Sequence, residues 1–187
     1  MGKAPEAVRA RAAAIRMLVL DVDGVMTDGT LWYGPGGEHL KPFHVRDGFG
    51  IKLLRHAGIE VAVLSGRRSP PLERRLADLG IARAILGRDD KLPALGELLA
   101  AVGVPEAEVA HVGDDVLDLP VMRRVGLGIT VSDAHARVRG EADWITEAPG
   151  GGGAVREVAE GLLDARGLLD EAYRALLARV GAEPEEG

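Results

Sequence analysis

The sequence contains no cysteine, few aromatic residues and no long apolar run. The absence of cysteine excludes disulfide bonds, thiolate catalysis and zinc–thiolate sites. No stretch approaches the ~20 apolar residues that a membrane-spanning helix needs, and residues 1–16 are rich in Ala and Arg without the apolar block of a signal peptide. The net charge of −6 argues against general binding to nucleic acid. We therefore expect a cytoplasmic protein that binds neither membranes nor nucleic acids.

The chain has 187 residues, 47% of them hydrophobic, which suits one globular domain with its own core. Short apolar runs alternate with helical patterns. Strands are predicted at 17–21, 59–64, 82–86, 109–112, 127–131 and 143–145, and helices at 47–57, 70–79, 91–102, 116–124, 154–165 and 168–180. This alternation predicts an α/β fold, a Rossmann-like, doubly wound parallel sheet with helices on both faces. We expect one domain over 1–187, with its core at about 16–166 and a disordered acidic tail at 181–187.

One segment interrupts the alternation. Residues 30–45 contain two strand-like runs on either side of Gly34-Pro35-Gly36-Gly37, which predicts a β-hairpin inserted between the first strand and the first helix. Three of the six aromatic residues lie here: Trp32, Tyr33 and Phe43. Because a lone hairpin is marginally stable in water, we expect another element, such as a second subunit, to pack on it.

Two predicted strands end in acidic clusters. Asp21 and Asp23 follow the first of these strands, and Asp114, Asp115 and Asp118 follow the second. Residues two apart on a strand point the same way, and in a parallel sheet both clusters reach the edge where α/β folds bind ligands. Like charges gathered beside a core imply a cation, and carboxylate oxygens favour Mg²⁺.

The spacing of Asp21 and Asp23 suits phosphoryl transfer. One carboxylate can attack a phosphoryl group, and its neighbour can protonate the leaving oxygen and later activate water. Asp114 would complete the metal site, and the metal would offset the repulsion between phosphate and carboxylates. The alternative is a helix cap or a solvated turn, which suits a single Asp better than two acidic strand ends.

Ser65 and Lys91 are candidates for holding an anion. Ser65 ends a third apolar strand and precedes Gly66, so its hydroxyl and the following amides could cradle a phosphate. Ser65 could equally be the N-cap of the helix near Pro70. Lys91 is one of only four lysines, and at a predicted helix start its charge opposes the helix dipole. That placement favours a role toward an anion or the Asp cluster over simple solvation.

Taken in order, Asp-Val-Asp-Gly-Val, Leu-Ser-Gly-Arg, Lys91 and Gly-Asp-Asp-Val-Leu-Asp resemble the four motifs of the haloacid dehalogenase superfamily. The short hairpin in place of a cap domain resembles the cap-less branch, which includes phosphatases of acidic sugars. The resemblance implies a Mg²⁺-dependent phosphatase with Asp21 as the nucleophile and Asp23 as the general acid and base.

The same resemblance implies the remaining roles. Mg²⁺ would be bound by the Asp21 carboxylate, the Asp23 backbone carbonyl and Asp114. Ser65, Gly66 and Lys91 would hold the phosphate, while Asp118 would orient Lys91 and Asp115 would support the metal shell. The resemblance also implies a homotetramer in which the hairpins assemble centrally and neighbouring subunits roof each active site.

Two arginines bear on the substrate. Relatives in this branch that act on nine-carbon, sialic-acid-like phosphates often carry Glu where this chain has Arg67, and a guanidinium suits a substrate carboxylate better than Glu does. Arg67 therefore favours an eight-carbon acidic sugar phosphate, with a nine-carbon one as the alternative. Arg75, on the following helix, is a second candidate for binding the substrate, and its other interpretation is an exposed helix charge.

Two further classes of protein remain open. The first is a non-catalytic oligomerisation module, against which the presence of Asp21, Asp23, Lys91 and Asp114 together argues. The second is a phospho-acceptor signalling domain of the flavodoxin-like kind, in which the acidic pair would activate an Asp on another strand. Here Asp23 lies beside the proposed acceptor, where it can promote hydrolysis.

Overall fold

The computed structural model describes residues 3–179 and Gly181, so the predicted tail lies outside the described residues apart from Gly181. The strands are β1 (Met17–Leu20), β2 (Trp32–Gly34), β3 (Gly37–Leu40), β4 (Glu60–Ser65), β5 (Arg83–Leu86), β6 (Val109–Gly113), β7 (Leu127–Thr130) and β8 (Trp144–Ile145). The α-helices are α1 (Arg9–Ala14), α2 (Val45–His56), α3 (Pro70–Leu79), α4 (Lys91–Val102), α5 (Leu119–Met122), α6 (Ala136–Arg139), α7 (Ala154–Ala165) and α8 (Leu169–Arg179). None of the helices in this region is long and apolar enough to span a bilayer.

Six strands form one parallel sheet in the order β5-β4-β1-β6-β7-β8. The strand order runs outward from β1 in both directions, so β1 lies at the point where the winding of the sheet reverses. In open α/β sheets ligands bind beyond the carboxyl ends of the strands at such a point. The predicted doubly wound parallel sheet is confirmed, and its switch point lies where β1 delivers Asp21.

Helices cover both faces of the sheet, and alternate residues of β1 face opposite layers. Leu18 and Leu20 join the apolar core that includes α2, α3 and α7, whereas Met17 and Val19 join the core beneath α4. All four side chains are fully buried, and each contributes roughly 1.5–3 kcal/mol through removal from water. The central strand is therefore fixed on both sides.

The observed boundaries follow the turn and cap residues. Helix α3 begins at Pro70, whose missing N–H costs nothing at this position, and ends before Gly80 at φ +67°. The predicted helix 116–124 is divided into a 3₁₀ turn, Val116–Asp118, and the short helix α5. The four-residue α6 and the six-residue α1 are not among the predicted helices, because elements this short carry little periodic signal.

The inserted hairpin is confirmed, although β2 and β3 pair over fewer residues than the predicted 30–45. Its surface is apolar and open: Trp32 is 53% exposed, Tyr33 65% and Leu40 58%. Phe43 differs from the other hairpin aromatics, because it packs against the core of its own chain. The apolar face left for another element therefore consists of Trp32, Tyr33 and Leu40.

The glycine-rich loop before α7 packs against the turn that follows β1. The Gly151 amide donates to the Val25 carbonyl at 2.9 Å. A Cβ placed on Gly150 would lie 1.9 Å from the Gly24 carbonyl oxygen, so no larger residue fits without moving one of the two loops. This loop thus supports the backbone that carries the first acidic pair.

Candidate active site

The carboxyl ends of β1, β4 and β6 enclose a cleft of about 240 Å³. Nine residues predicted from the sequence line it: Asp21, Asp23, Ser65, Gly66, Arg67, Lys91, Asp114, Asp115 and Asp118. Asp89 and Leu117 also line the cleft and were not predicted. Of the predicted site residues, Arg75 alone lies elsewhere.

A larger cavity, about 540 Å³, lies beside the start of α7. Its charged groups are largely used by the protein itself: Arg156 pairs with Glu160 at 2.5 Å, and Glu157 accepts the backbone N–H groups of Glu147 and Ala148. The smaller cleft, with its converging acidic groups, is therefore the better candidate for chemistry.

Lys91 is buried at the first position of α4 and reaches two carboxylates. Its Nζ lies 3.1 Å from Asp21 Oδ2 and 2.7 Å from Asp118 Oδ1. Burial lowers the pKa of Lys91, but the charges of Asp21 and Asp118 outweigh it and raise the pKa overall. The cation that opposes the helix dipole is thus stabilised by the acidic cluster.

Asp118 is fully occupied by partners from its own chain. Its Oδ1 contacts Lys91 Nζ and lies 2.9 Å from His111 Nε2, and its Oδ2 accepts the amides of Asp114 and Asp115. Burial alone would raise the pKa of Asp118, but the hydrogen bond and charge of His111, with the charge of Lys91, hold it well below its usual range. Asp118 therefore holds Lys91 in position within the acidic cluster.

His111 is buried on β6, with Nδ1 3.2 Å from the Val19 carbonyl oxygen. Its contact with Asp118 was not foreseen. The sequence carries no signal for that contact, because it depends on the 3₁₀ turn at 116–118 folding back over the strand.

Asp21 and Asp114 have the properties of ligands for a divalent cation. With Asp118 they place carboxylate oxygens within 4.8 Å of one another. Burial, followed by the charges of Asp21 and Asp118, raises the pKa of Asp114 to about 8. A Cβ on Gly24, which has φ +88°, would lie 2.1 Å from Asp114 Oδ2, so only glycine permits this approach. The crowded negative charge and the hard oxygens fit Mg²⁺.

Asp23 has a partner that was not predicted from the sequence. Its Oδ1 accepts a hydrogen bond from Lys41 Nζ, which also lies 2.8 Å from Glu38 Oε1. The Lys41 side chain is only 1% exposed. One signal could have found it: lysine is rare in this chain, and Lys41 lies at the end of the hairpin.

Ser65 is buried at the end of β4, where its Oγ accepts the Arg67 amide at 3.2 Å. The N-cap position of α3 belongs to Ser69 instead, so the alternative of Ser65 as the helix N-cap is wrong. Gly66 is closely covered, since a Cβ there would lie 2.5 Å from Asp89 Oδ1. Ser65 and Gly66 therefore form a tight turn facing the acidic cluster.

Arg67 extends from this turn to the hairpin. Its Nη2 donates to Tyr33 Oη at 2.9 Å and to Glu38 Oε2 at 3.1 Å, and its side chain is 40% exposed. Arg75 lies over the Phe43 ring at 5.6 Å and donates to the His44 carbonyl, which places it at the base of the hairpin. The structure thus brings Arg67, and not Arg75, to the cleft.

Asp115 has a local task. Its Oδ1 accepts the Val116 amide at 2.7 Å, and together with Asp118 it forms a capping box at the start of the 3₁₀ turn. Asp115 lies outside the trio of neighbouring carboxylates, so its contribution here is to hold the turn that carries Asp118.

Comparisons with known proteins agree with this geometry. A family model of haloacid dehalogenase-like hydrolases matches residues 87–157. The chain is 48% identical to 3-deoxy-D-manno-octulosonate 8-phosphate phosphatase of Escherichia coli strain B over 88% of each chain. It is similar to the crystal structure of the Yersinia pestis phosphatase of that name, with a TM-score of 0.86, 47% identity and coverage of 88% and 89%.

The structure of a third relative contains bound ligands. The 3-deoxy-D-manno-octulosonate 8-phosphate phosphatase from Moraxella catarrhalis was solved with a magnesium ion, a phosphate ion and a KDO molecule. It matches with a TM-score of 0.85 and 39% identity over 92% of this chain and 97% of that one. This chain belongs to the haloacid dehalogenase-like hydrolases and, within them, to the family of 3-deoxy-D-manno-octulosonate 8-phosphate phosphatases.

The raised pKa of Asp114 predicts how stability depends on pH and metal. A carboxyl whose pKa is higher in the folded than in the unfolded chain opposes folding as the pH rises from about 4 toward its folded pKa. In metal-free protein at pH 8, Asp114→Asn should therefore raise Tm by several degrees, with little change near pH 4. Mg²⁺ should raise the Tm of the native protein at pH 8 and have little effect on Asp114→Asn.

Thermal unfolding followed by circular dichroism, with and without Mg²⁺, measures both effects. Asp170→Asn, an exposed carboxylate on α8, is the matched control and should respond to Mg²⁺ like the native protein. An equal Mg²⁺ response in Asp114→Asn would contradict the assignment of Asp114 as a ligand.

Proposed function

We propose that this chain hydrolyses 3-deoxy-D-manno-octulosonate 8-phosphate to the free sugar acid and inorganic phosphate. One observation carries the proposal: Asp21 lies at the switch point of the sheet, held 3.1 Å from the buried Lys91, with Asp23 beside it. A nucleophile, a fixed cation and a second carboxyl are the groups that a phosphate monoester needs for transfer to an aspartate.

In the first step an Asp21 carboxylate oxygen attacks phosphorus and forms an acyl phosphate. The bond between phosphorus and the sugar oxygen breaks, and that oxygen takes the proton carried by Asp23. Lys91 limits the repulsion between the incoming phosphate and Asp21, because its ammonium group is already directed at the attacking carboxylate.

In the second step Asp23, now ionised, takes a proton from water as the water oxygen attacks phosphorus. The bond between phosphorus and Asp21 breaks, which releases inorganic phosphate and restores both carboxyl groups. Over the two steps one water molecule is consumed, and the free sugar acid and inorganic phosphate are formed.

Mg²⁺ would be held by the carboxylates of Asp21 and Asp114 and by the Asp23 backbone carbonyl, where it supplies positive charge against the phosphate oxygens. The Ser65 hydroxyl and the amides of the turn at Gly66 would bind the phosphate on its other side. Asp118 fixes Lys91, and Asp115 fixes the turn that carries Asp118.

Arg67 is the group best placed to recognise the carboxylate of the sugar acid. It is bound to the hairpin by Tyr33 and Glu38, yet its side chain remains 40% exposed at the cleft. A guanidinium here favours the eight-carbon acid, and a nine-carbon acid phosphate is the alternative substrate. Arg75 would act on the substrate only through the base of the hairpin, where it contacts Phe43.

A homotetramer assembled through the hairpins is also proposed. The apolar side chains of Trp32, Tyr33 and Leu40 are more than half exposed on a two-stranded ribbon. Such a surface is unusual on a monomer and typical of an interface. The cytoplasmic location, the extent of the single domain and the disordered tail remain predictions that rest on the sequence.

The function is tested by hydrolysis of the eight-carbon and nine-carbon sugar-acid phosphates with Mg²⁺ and with a chelator. Turnover should require Mg²⁺ and favour the eight-carbon substrate. Asp21→Asn should reduce kcat below about one-thousandth of the native value, because it removes the nucleophile, while Asp170→Asn should leave kcat unchanged. Native-like turnover by a folded Asp21→Asn would refute the mechanism, and no turnover by the native protein would favour a non-catalytic module.

The role of Arg67 is tested by comparing kcat/KM on two substrates. Arg67→Ala should lose a charge-assisted contact of about 1.5–3 kcal/mol with the sugar acid, roughly a 10- to 140-fold loss in kcat/KM. Because p-nitrophenyl phosphate has no carboxylate, its kcat/KM should change little. Arg68→Ala, which removes the neighbouring exposed arginine, is the control. Equal losses on both substrates would assign Arg67 to the phosphate or to the fold.

The hairpin interface is tested by measuring the mass of the assembly in solution. Trp32 and Leu40 pair across the hairpin and lie outside the cleft, so Trp32→Ser combined with Leu40→Ser should give smaller assemblies by light scattering. Leu177→Ser, which alters an apolar residue of similar exposure on α8, should leave the mass unchanged. A tetramer that persists in the hairpin variant would exclude this interface.

A further inference from the structure

We propose that Lys41 is a positioning residue for Asp23, through which the hairpin orients the proton-transfer group of the active site. This inference rests on the proposed function, in which Asp23 is the general acid and base. Lys41 follows β3 and lies 18 residues from Asp23 along the chain, so their contact exists only when the hairpin folds over the cleft.

The ammonium group of Lys41 is shielded from solvent, so water cannot replace its protein partners. Its side chain is 1% exposed, and its Nζ lies between Asp23 Oδ1 and Glu38 Oε1. Moving a charged ammonium out of water is costly unless opposite charges and hydrogen bonds compensate for it. The two carboxylates therefore fix the position of Lys41, and Lys41 fixes theirs.

Glu38 connects this contact to the rest of the cleft. Its side chain is 6% exposed and accepts hydrogen bonds from Lys41, from Arg67 Nη2 at 3.1 Å and from Ser69 Oγ at 3.1 Å. Glu38 thus joins Lys41 to the segment after β4 that carries Arg67 and Ser69. Displacement of the hairpin would release Lys41 from its position against Asp23.

The two oxygens of Asp23 are not equivalent. Oδ1 is occupied by Lys41, whereas Oδ2 is buried and accepts no hydrogen bond from the described part of the chain; it lies 3.8 Å from Arg67 Nε. A buried carboxylate oxygen without a protein partner needs an explanation, and proton transfer to a substrate would supply one. Because Lys41 donates to Oδ1, the proton that Asp23 delivers as an acid is left on Oδ2, the free oxygen.

The test compares leaving groups. A sugar alkoxide must be protonated as it leaves, whereas p-nitrophenolate leaves without a proton. Lys41→Met keeps the length of the side chain and removes its donor, so it should lower kcat on the sugar-acid phosphate by about 10- to 100-fold, part of the contribution of general acid catalysis. The rate of the first p-nitrophenolate release from p-nitrophenyl phosphate should change by less than about threefold if the acid is not needed.

Two further variants serve as a control and as a rescue. Lys52→Met makes the same chemical change at an exposed position on α2 and should behave like the native protein. Lys41→Arg keeps a cationic donor and should recover a large part of the activity on the sugar-acid phosphate. A purely structural role for Lys41 would instead lower the rates on both substrates by the same factor.

A double variant keeps the test possible if Lys41→Met does not fold. Lys41→Met removes the cation that lies between the carboxylates of Asp23 and Glu38. If this variant does not fold, Glu38→Gln combined with Lys41→Met also removes one of the two negative charges. The same substrate-dependent loss is expected from the double variant. Equal losses on both substrates, or no loss on either, would overturn the inference. Absence of hydrolysis by the native protein would instead overturn the proposed function.

Discussion

The buried ammonium group of Lys91 is the contact on which the site depends. Asp21, Asp114 and Asp118 lie together at one edge of the sheet, and like charges at this spacing repel strongly where water is excluded. Lys91 neutralises part of that charge by contacting Asp21 and Asp118 at once. The remaining negative charge, together with burial, raises the pKa of Asp114 and would favour a bound divalent cation.

The two central carboxyl groups are each held by a lysine, and the two lysines come from different parts of the chain. Lys91 belongs to α4 of the core and contacts Asp21, while Lys41 belongs to the hairpin and contacts Asp23. The proposed nucleophile, Asp21, is thus fixed by the main fold, and the proposed proton-transfer group, Asp23, is fixed by the insertion. This division explains how a two-stranded ribbon can matter to chemistry although it contributes little to the core.

Close backbone packing keeps these groups in register. Gly24 leaves room for the Asp114 carboxylate, and Gly150 leaves room for the backbone of Gly24 itself. The loop after β1 is therefore confined between β6 on one side and the glycine-rich loop on the other. Side chains could not replace these contacts, because a single Cβ would fill the space that the carboxylate or the carbonyl occupies.

The sequence alone determined the parallel sheet, the inserted hairpin and most residues of the cleft, because strand periodicity and acidic strand ends are local signals. The unfavourable helix position of Lys91 also indicated a role toward an anion or the Asp cluster. Only the tertiary structure decided the partners of Lys41, His111 and Arg67, and the removal of Arg75 to the base of the hairpin. Those contacts join residues from separate elements, and no spacing along the chain encodes which side chains meet when the hairpin and the 3₁₀ turn fold over the sheet.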